Sequence, residues 1–435
     1  MIKAIVTSDN HLGVYYARLR PERLEQRRKR LQKAFAHVVD AAIAQNADLF
    51  LHAGDFFDRP DPRNADRLFV ARQVRRLQDA GIIVCAIAGN HDSPRSLGYD
   101  GGILPHEEMD ALGAIRLFRA TASFDEAIFS IRGQRVRVRG MSSDFNRPAA
   151  SCPLQELVSQ QLTSQEINAQ EIKSENDEDG SAIELVLLHY GVEGWAREDT
   201  QEPCLSLENL DKLGADAICV GHLHARNQQR LPGGALLLNP GATEHINFGE
   251  EKLECGFWML SCYPEGVKSE RVAPEYVMSA PQPMQTIRIE LPDVLEAAET
   301  TEEAAVPEME EAPAAITPIM RLLLERVEAA ARPDQLLRVR LAGRIPRARY
   351  QEIDLNLLQT RGLSANFHCQ IDTDLLIPYD EFGDASFGYG VSFEVETELQ
   401  NTVREMSAMI GDDPIKQDIL AEAGRDIAAA YARLH

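Results

Sequence analysis

No stretch of this 435-residue chain approaches the length of an apolar membrane span. The N-terminus enters a strand-like segment at once, with no charged n-region and apolar h-region. A soluble, cytoplasmic protein without a membrane partner is therefore expected. Cysteine is sparse: seven residues, an odd number scattered without a C-x-x-C pair, argue for reduced thiols and against a disulfide framework. There is no G-x-x-x-x-G-K-[ST] loop, so any ATP dependence must come from a partner, and no internal repeat is apparent. Positive charge is short as well, 45 Lys and Arg against 68 Asp and Glu, for a net charge of -23. Bulk attraction to polyanions is thereby disfavoured. Two segments that read as solvated acidic linkers, residues 165–180 and 292–313, account for -13 of the total and leave -10 for the rest.

What is present is a series of short apolar runs, each leading into a potential metal ligand. AIVTS precedes Asp9 and His11, ADLFLHAG precedes Asp55, IIVCAIAG precedes Asn90 and His91, IELVLL precedes His189, and DAICVG precedes His222 and His224. The runs are rich in Ile and Val and lack strict alternation, which reads as buried strands. In open α/β sheets ligands sit beyond the carboxyl ends of the strands, so five such ends can gather these side chains. Singly, D-x-H is a common turn, a G-D pair an ordinary strand end, and His189 a core histidine. Five such blocks in this order are hard to reach by chance. His37, His52, His106, His368 and His435 read as surface or packing residues, and His245 as a group standing behind a ligand.

Phosphodiester hydrolysis at neutral pH needs a nucleophile, neutralised phosphoryl oxygens and help for the leaving alkoxide. Two divalent ions about 3.5–4 Å apart supply these. Asp55 is the natural bridge between them. Carboxylate, imidazole and amide oxygen without thiolate suit Mn first, with Fe, Zn or Mg as alternatives, over a structural zinc. His91 is the candidate for stabilising the transition state and protonating the departing oxygen. Asp92 is the candidate for orienting its ring.

On these residues the chain resembles the calcineurin-like metallophosphoesterase superfamily, whose pattern is D-x-H, G-D, G-N-H-D or E, H, then G-H-x-H, over roughly residues 1–260. SDNHLG and GDFFDRPDP carry a narrower resemblance to the SbcD and YhaO type of DNA repair exonuclease, which works with an SbcC-like coiled-coil ATPase. The resemblance implies one ion held by Asp9, His11, Asp55 and His224, and another by Asp55, Asn90, His189 and His222. It also implies a homodimer, and an α/β fold built as a four-layer mixed β-sandwich flanked by helices. Many relatives carry a histidine three residues after the bridging aspartate, where this chain has Asp58, an uncertain catalytic position. Three functions stay open: a metal-dependent DNA exonuclease or endonuclease subunit, a phosphodiesterase or phosphatase for small substrates, and a scaffold for DNA ends or an ATPase with an idle site.

The rest of the chain reads as follows. Helical patterns at 22–46 and 64–80 separate the first three strands, giving βαβαβ and a parallel sheet. After Arg119 period-2 alternation points to antiparallel strands. The phosphoesterase domain is placed at 1–280 and a small capping α/β domain at 281–375, the latter with an acidic linker over 292–315. A helical segment at 376–435 follows, either gripping the ATPase or packed on its own domain. Arg18, Arg20, Arg27, Arg28, Lys29 and Arg30 form a basic stretch beside the first ligand block. It reads equally as a DNA-backbone contact or a solvated helix face.

Overall fold

Each apolar run becomes a strand because its Val, Ile and Leu side chains find cover on both faces. In a computed structural model of the chain, residues 1–16, 18–94, 103–144, 147–148, 151–155, 157, 183–196, 202–303 and 316–379 are described. In chain order the first part comprises β1 (Ile2–Thr7), α1 (Pro21–Ala44), β2 (Leu49–Ala53), α2 (Asn64–Asp79), β3 (Ile83–Ile87), α3 (Glu107–Ala111) and β4 (Arg116–Phe118). It continues through β5 (Asp125–Ile131), β6 (Gln134–Gly140), β7 (Ile183–His189), β8 (Gly191–Val192), β9 (Cys204–Leu205) and α4 (Leu207–Asp211). The remaining strands of this part are β10 (Ala217–Gly221), β11 (Asn227–Arg230), β12 (Leu236–Asn239), β13 (Gly256–Cys262) and β14 (Val272–Met278).

These strands form two six-stranded mixed sheets, ordered β14-β13-β1-β2-β3-β4 and β11-β12-β10-β7-β6-β5. The expected parallel βαβαβ start is present, with β1, β2 and β3 parallel neighbours. So is the antiparallel β5–β6 pair. One core lies between the sheets, where Val6, Leu51, Ile87, Leu185 and Cys219 meet. A second lies between the first sheet and α1 with α2, and a third covers the outer face of the other sheet with α4 beside it. The chain is thus the layered mixed α/β structure its pattern implied. All seven cysteines are free, and no described helix is long and apolar enough to cross a membrane.

A three-stranded sheet follows, ordered β15-β16-β17, from β15 (Met284–Glu290), β16 (Leu336–Pro346) and β17 (His368–Tyr379). Its helices are α5 (Leu291–Glu303), α6 (Pro318–Ala329), α7 (Arg347–Gln351) and α8 (Leu355–Ala365). Two boundaries differ from the sequence reading. The start of the acidic linker is helix α5, because Leu291, Val294 and Ala298 recur at helical spacing and are buried against the small sheet. The last strand runs on to Tyr379, past the expected end of the capping domain at 375. The C-terminal helical segment read from the sequence, beyond residue 379, and the whole of the acidic segment 165–180 lie outside the described residues.

Helix α1 also corrects the reading of its basic stretch. Leu24, Leu31, Phe35, Val38 and Ala42 form its buried face, and Arg27 sits among them with no solvent exposure. Its guanidinium pairs with Glu244 at 3.2 Å and donates to the Gln282 side chain at 3.0 Å and to the His245 carbonyl. Arg27 is therefore an internal strut and no DNA contact. Arg18 pairs with Asp372 and Arg30 with Asp334, both on the small α/β unit. Arg28 donates to the Val14 carbonyl at 3.2 Å, whereas Arg20 and Lys29 are exposed. Arg27→Ala leaves Glu244 buried without its partner. We expect a loss of roughly 3–5 kcal/mol of stability, read by denaturant unfolding, with Arg20→Ala close to neutral.

His106 is fully buried, as a packing residue should be, but among the described residues neither of its ring nitrogens has a hydrogen-bond partner. Burial pushes its pKa down from 6.5 to about 3. As pH falls below 6.5 the unfolded chain takes up a proton that the folded chain refuses. Stability supplied by the neutral ring is thus lost between 6.5 and about 3. His106→Phe removes the two orphaned nitrogens, and its melting temperature should fall less than that of the parent between neutral pH and pH about 4.5.

Candidate metal centre

The carboxyl ends of β1, β2 and β3 in one sheet and of β7 and β10 in the other meet at one rim of the sandwich. The His189 Nδ1 to Ala53 carbonyl bond, 2.7 Å, ties the two rims together. Tight approach is enforced by glycine. A Cβ on Gly89 would overlap the Asp55 carboxylate, and Gly54, at φ +93°, abuts His189 and Gly89. Asp9, His11, Asp55 and His222 themselves have positive φ, four of the six described non-glycine residues that do. Strain of this kind collects where side-chain placement matters more than backbone comfort.

All seven expected ligands converge. His11 Nε2 lies 3.1 Å from His224 Nε2, with an Asp9 carboxylate oxygen close enough to complete a three-ligand group. His189 Nε2 and His222 Nδ1 lie 2.9 and 3.1 Å from the Asn90 side-chain oxygen. Asp55 joins the two groups: Oδ2 is 3.2 Å from His189 Nε2 and 3.7 Å from His11 Nε2, while Oδ1 accepts from the His91 backbone N–H at 2.8 Å. One carboxylate oxygen therefore faces both groups, which is what a bridging ligand requires.

The donor set fits a pair of cations. Three of the four ring nitrogens turned away from the centre are hydrogen-bonded to an oxygen, the Ala53 carbonyl for His189, Glu202 for His222 at 2.6 Å and Glu250 for His224 at 2.9 Å, while His11 Nδ1 has Asp58 Oδ1 3.4 Å away without a hydrogen bond. That arrangement leaves the inward nitrogens free to coordinate. Electrostatics agree. Burial pushes the Asp55 carboxyl up, yet the His189 charge and hydrogen bond, with His11 and His91 behind them, hold it well below the usual range. Burial pulls His189 down, but Asp55 outweighs it and lifts the ring to about 9. The pocket is built to hold positive charge.

His91 lines a cleft beside the centre, 44% exposed, with Nδ1 3.0 Å from the Asp58 carbonyl and its ring edge-on to His11. Asp92 does not orient it. Its fully buried carboxylate accepts from the backbone N–H groups of Phe57 at 2.8 Å, Phe56 at 3.1 Å and Gly89 at 3.3 Å, bracing the turns that carry Asp55 and Asn90. Burial and then the Asp55 charge push it up to about 7. Asp58 has taken the place beside His91 that the sequence reading gave Asp92. His245 does not stand behind a ligand either; its Nε2 faces the Leu253 carbonyl at 3.0 Å. The carboxylates that do, Glu202 and Glu250, were not read from the sequence. Glu250 is fixed by accepting from the Ile246 N–H, in a short turn that no ligand motif marks.

Fold and site together define a metal-dependent phosphoester hydrolase scaffold. The chain belongs to the calcineurin-like phosphoesterase family, which it matches over residues 2–226. Members of that family use a dinuclear divalent metal centre, and the candidate ligands present here fit one. The chain is similar to the DNA double-strand break repair protein Mre11 of Sulfolobus acidocaldarius, 28% identical over 247 residues, covering 57% of this chain and 55% of that protein. The Saccharolobus solfataricus protein of the same name is 26% identical over 254 residues, 58% of this chain and 57% of that one. The Haloferax volcanii protein is 41% identical over 95 residues, 22% of this chain and 20% of that one. The chain spans about half the length of the first two.

Proposed function

We propose that this chain is a metal-dependent DNA exonuclease or endonuclease subunit acting in the processing of broken DNA ends. The observation that carries the reading is the position of Asp55 Oδ2 between two ligand groups, with His91 at the mouth of the adjoining cleft. The relatives' names, DNA double-strand break repair proteins, support the substrate.

Asp9, His11, Asp55 and His224 would hold one ion and Asp55, Asn90, His189 and His222 the other, with Mn the first choice for an oxygen and nitrogen set without thiolate. Bound there, two such ions supply the charge neutralisation and nucleophile activation that phosphodiester hydrolysis needs. The chain's own residues do the rest. With Nδ1 of His91 turned to the Asp58 carbonyl, Nε2 is the nitrogen left to donate a proton to the leaving oxygen. Asp92, through three backbone amides, fixes the loops bearing Asp55 and Asn90. An SbcC-like coiled-coil ATPase, a homodimeric assembly and a cytoplasmic setting complete the proposal.

A second reading, a phosphodiesterase or phosphatase for small substrates, is favoured by the engagement of Arg18, Arg27 and Arg30 within the chain, which removes cations from a duplex-binding surface. End-labelled duplex and single-stranded DNA, set against nucleotide monoesters at one Mn concentration, separate the two. Preference for DNA ends supports the nuclease, and preference for monoesters overturns it.

A further inference from the structure

The cleft beside His91 has a volume of about 370 Å³, and Tyr15, Asp58, Arg59, Asp61, Asn90 and His91 are among the residues that border it. Volumes of roughly 300–1,000 Å³ are usual for small-ligand sites. Its walls are unlike one another. Asn90 and His91 belong to the candidate centre, whereas Tyr15, which also lines the cleft, is 66% exposed and among the largest solvent-facing apolar side chains described. An aromatic ring left in water at the edge of a catalytic cleft forgoes burial worth having, unless something else covers it.

The backbone that carries the ring is anchored on both sides. Its neighbour Val14 is buried, with its N–H bonded to the His11 carbonyl at 3.2 Å and its carbonyl accepting from Arg28. On the other side Tyr16 lies under the Arg27 guanidinium, 5.4 Å from its ring centre, and its carbonyl accepts from the Leu19 N–H. Residues 14 and 16 point inward and 15 outward, so Tyr15 is presented from an anchored loop that begins at a candidate metal ligand. Arg59 is neutralised by a two-pronged pair with Asp61, at 2.6 and 3.0 Å, which lowers its value as a phosphate clamp and leaves the aromatic face as the cleft's main unused feature.

The geometry points to a nucleobase subsite on Tyr15: one unpaired base of the substrate stacks on this ring while the phosphate joined to it lies at Asn90 and His91. The ligand class is a nucleotide at a strand end or in a single strand, since a base inside a duplex is already stacked. This deepens the proposed function and rests on the cleft's serving a phosphodiester.

The test uses the full chain loaded with Mn and two probes, 2′-deoxyguanosine 5′-monophosphate and its base-free counterpart 2-deoxyribose 5-phosphate, with binding measured by calorimetry. The parent chain should bind the nucleotide more tightly than the sugar phosphate. Tyr15→Ala should weaken the nucleotide roughly 10-fold, within the range of one base–aromatic stack, and leave the sugar phosphate unchanged. Tyr15→Phe should keep the parent preference. No preference in the parent, equal losses for both probes in Tyr15→Ala, or no loss for either overturns the subsite. The outcome is separable from the nuclease reading. DNA cleavage with Tyr15-independent nucleotide binding defeats the subsite alone, and Tyr15-dependent binding without DNA cleavage defeats the nuclease alone.

Discussion

Replacing His91 with alanine is expected to lower kcat by roughly 10²–10⁴-fold, the usual worth of a general acid, while metal binding stays near that of the parent. The geometry separates the two effects. Residue 91 holds Asp55 Oδ1 at 2.8 Å through its backbone N–H, which survives the substitution, while its ring nitrogen gathers with His11 and Asp58 and not with Asp55 and His189. The ring itself contacts the Asp58 carbonyl and the edge of His11, and is not among the groups facing Asp55 Oδ2. Two measurements decide the matter: turnover of a DNA substrate under saturating Mn, and Mn stoichiometry by titration. Turnover unchanged from the parent would remove His91 from the chemistry. Loss of metal together with turnover would place the ring among the ligands.

The expectation that Asp92 serves His91 fails for a reason sequence order cannot reveal. Adjacent residues on a turn point apart, and Asp92 turns inward where the amide groups of Phe56, Phe57 and Gly89 await an acceptor. Asp58, from a different strand end, reaches the His91 backbone-side nitrogen and the outer nitrogen of His11 instead. The pairing of His222 with Glu202 and of His224 with Glu250 is likewise decided by tertiary approach, since no fixed spacing separates partner from ligand.

The ligands themselves were legible because each is local: a short apolar run, in three of the five blocks a glycine that permits close approach, then a donor side chain. That they come from two sheets facing one another, with β1, β2 and β3 on one side and β7 and β10 on the other, is a matter of pairing that five similar strands leave open. Arg27 had a signal that charge counting obscured. It lies three residues after Leu24 and four before Leu31, on the stripe that α1 buries. The same holds for α5, whose Leu291, Val294 and Ala298 carry the helical period beneath a run of acids.

Asp55→Asn should be the most damaging single change at the centre. The amide keeps the shape of the side chain but removes the negative charge between His11 and His189, at 3.7 and 3.2 Å, on which both ligand groups depend. Turnover should fall by about 10³-fold or more, equivalent to about 4 kcal/mol of lost transition-state stabilisation. A readout independent of turnover comes from linkage, because a cation that binds only the folded chain raises its melting temperature. Mn should raise the melting temperature of the parent and leave that of Asp55→Asn unmoved, each compared with the same chain free of metal. A variant that kept the parent's Mn-dependent rise would show that Asp55 does not join the two groups. The reasoning that places a phosphodiester at this rim would then lose its foundation, because without a shared carboxylate the two triads are separate clusters with no common ion pair to act on one phosphate.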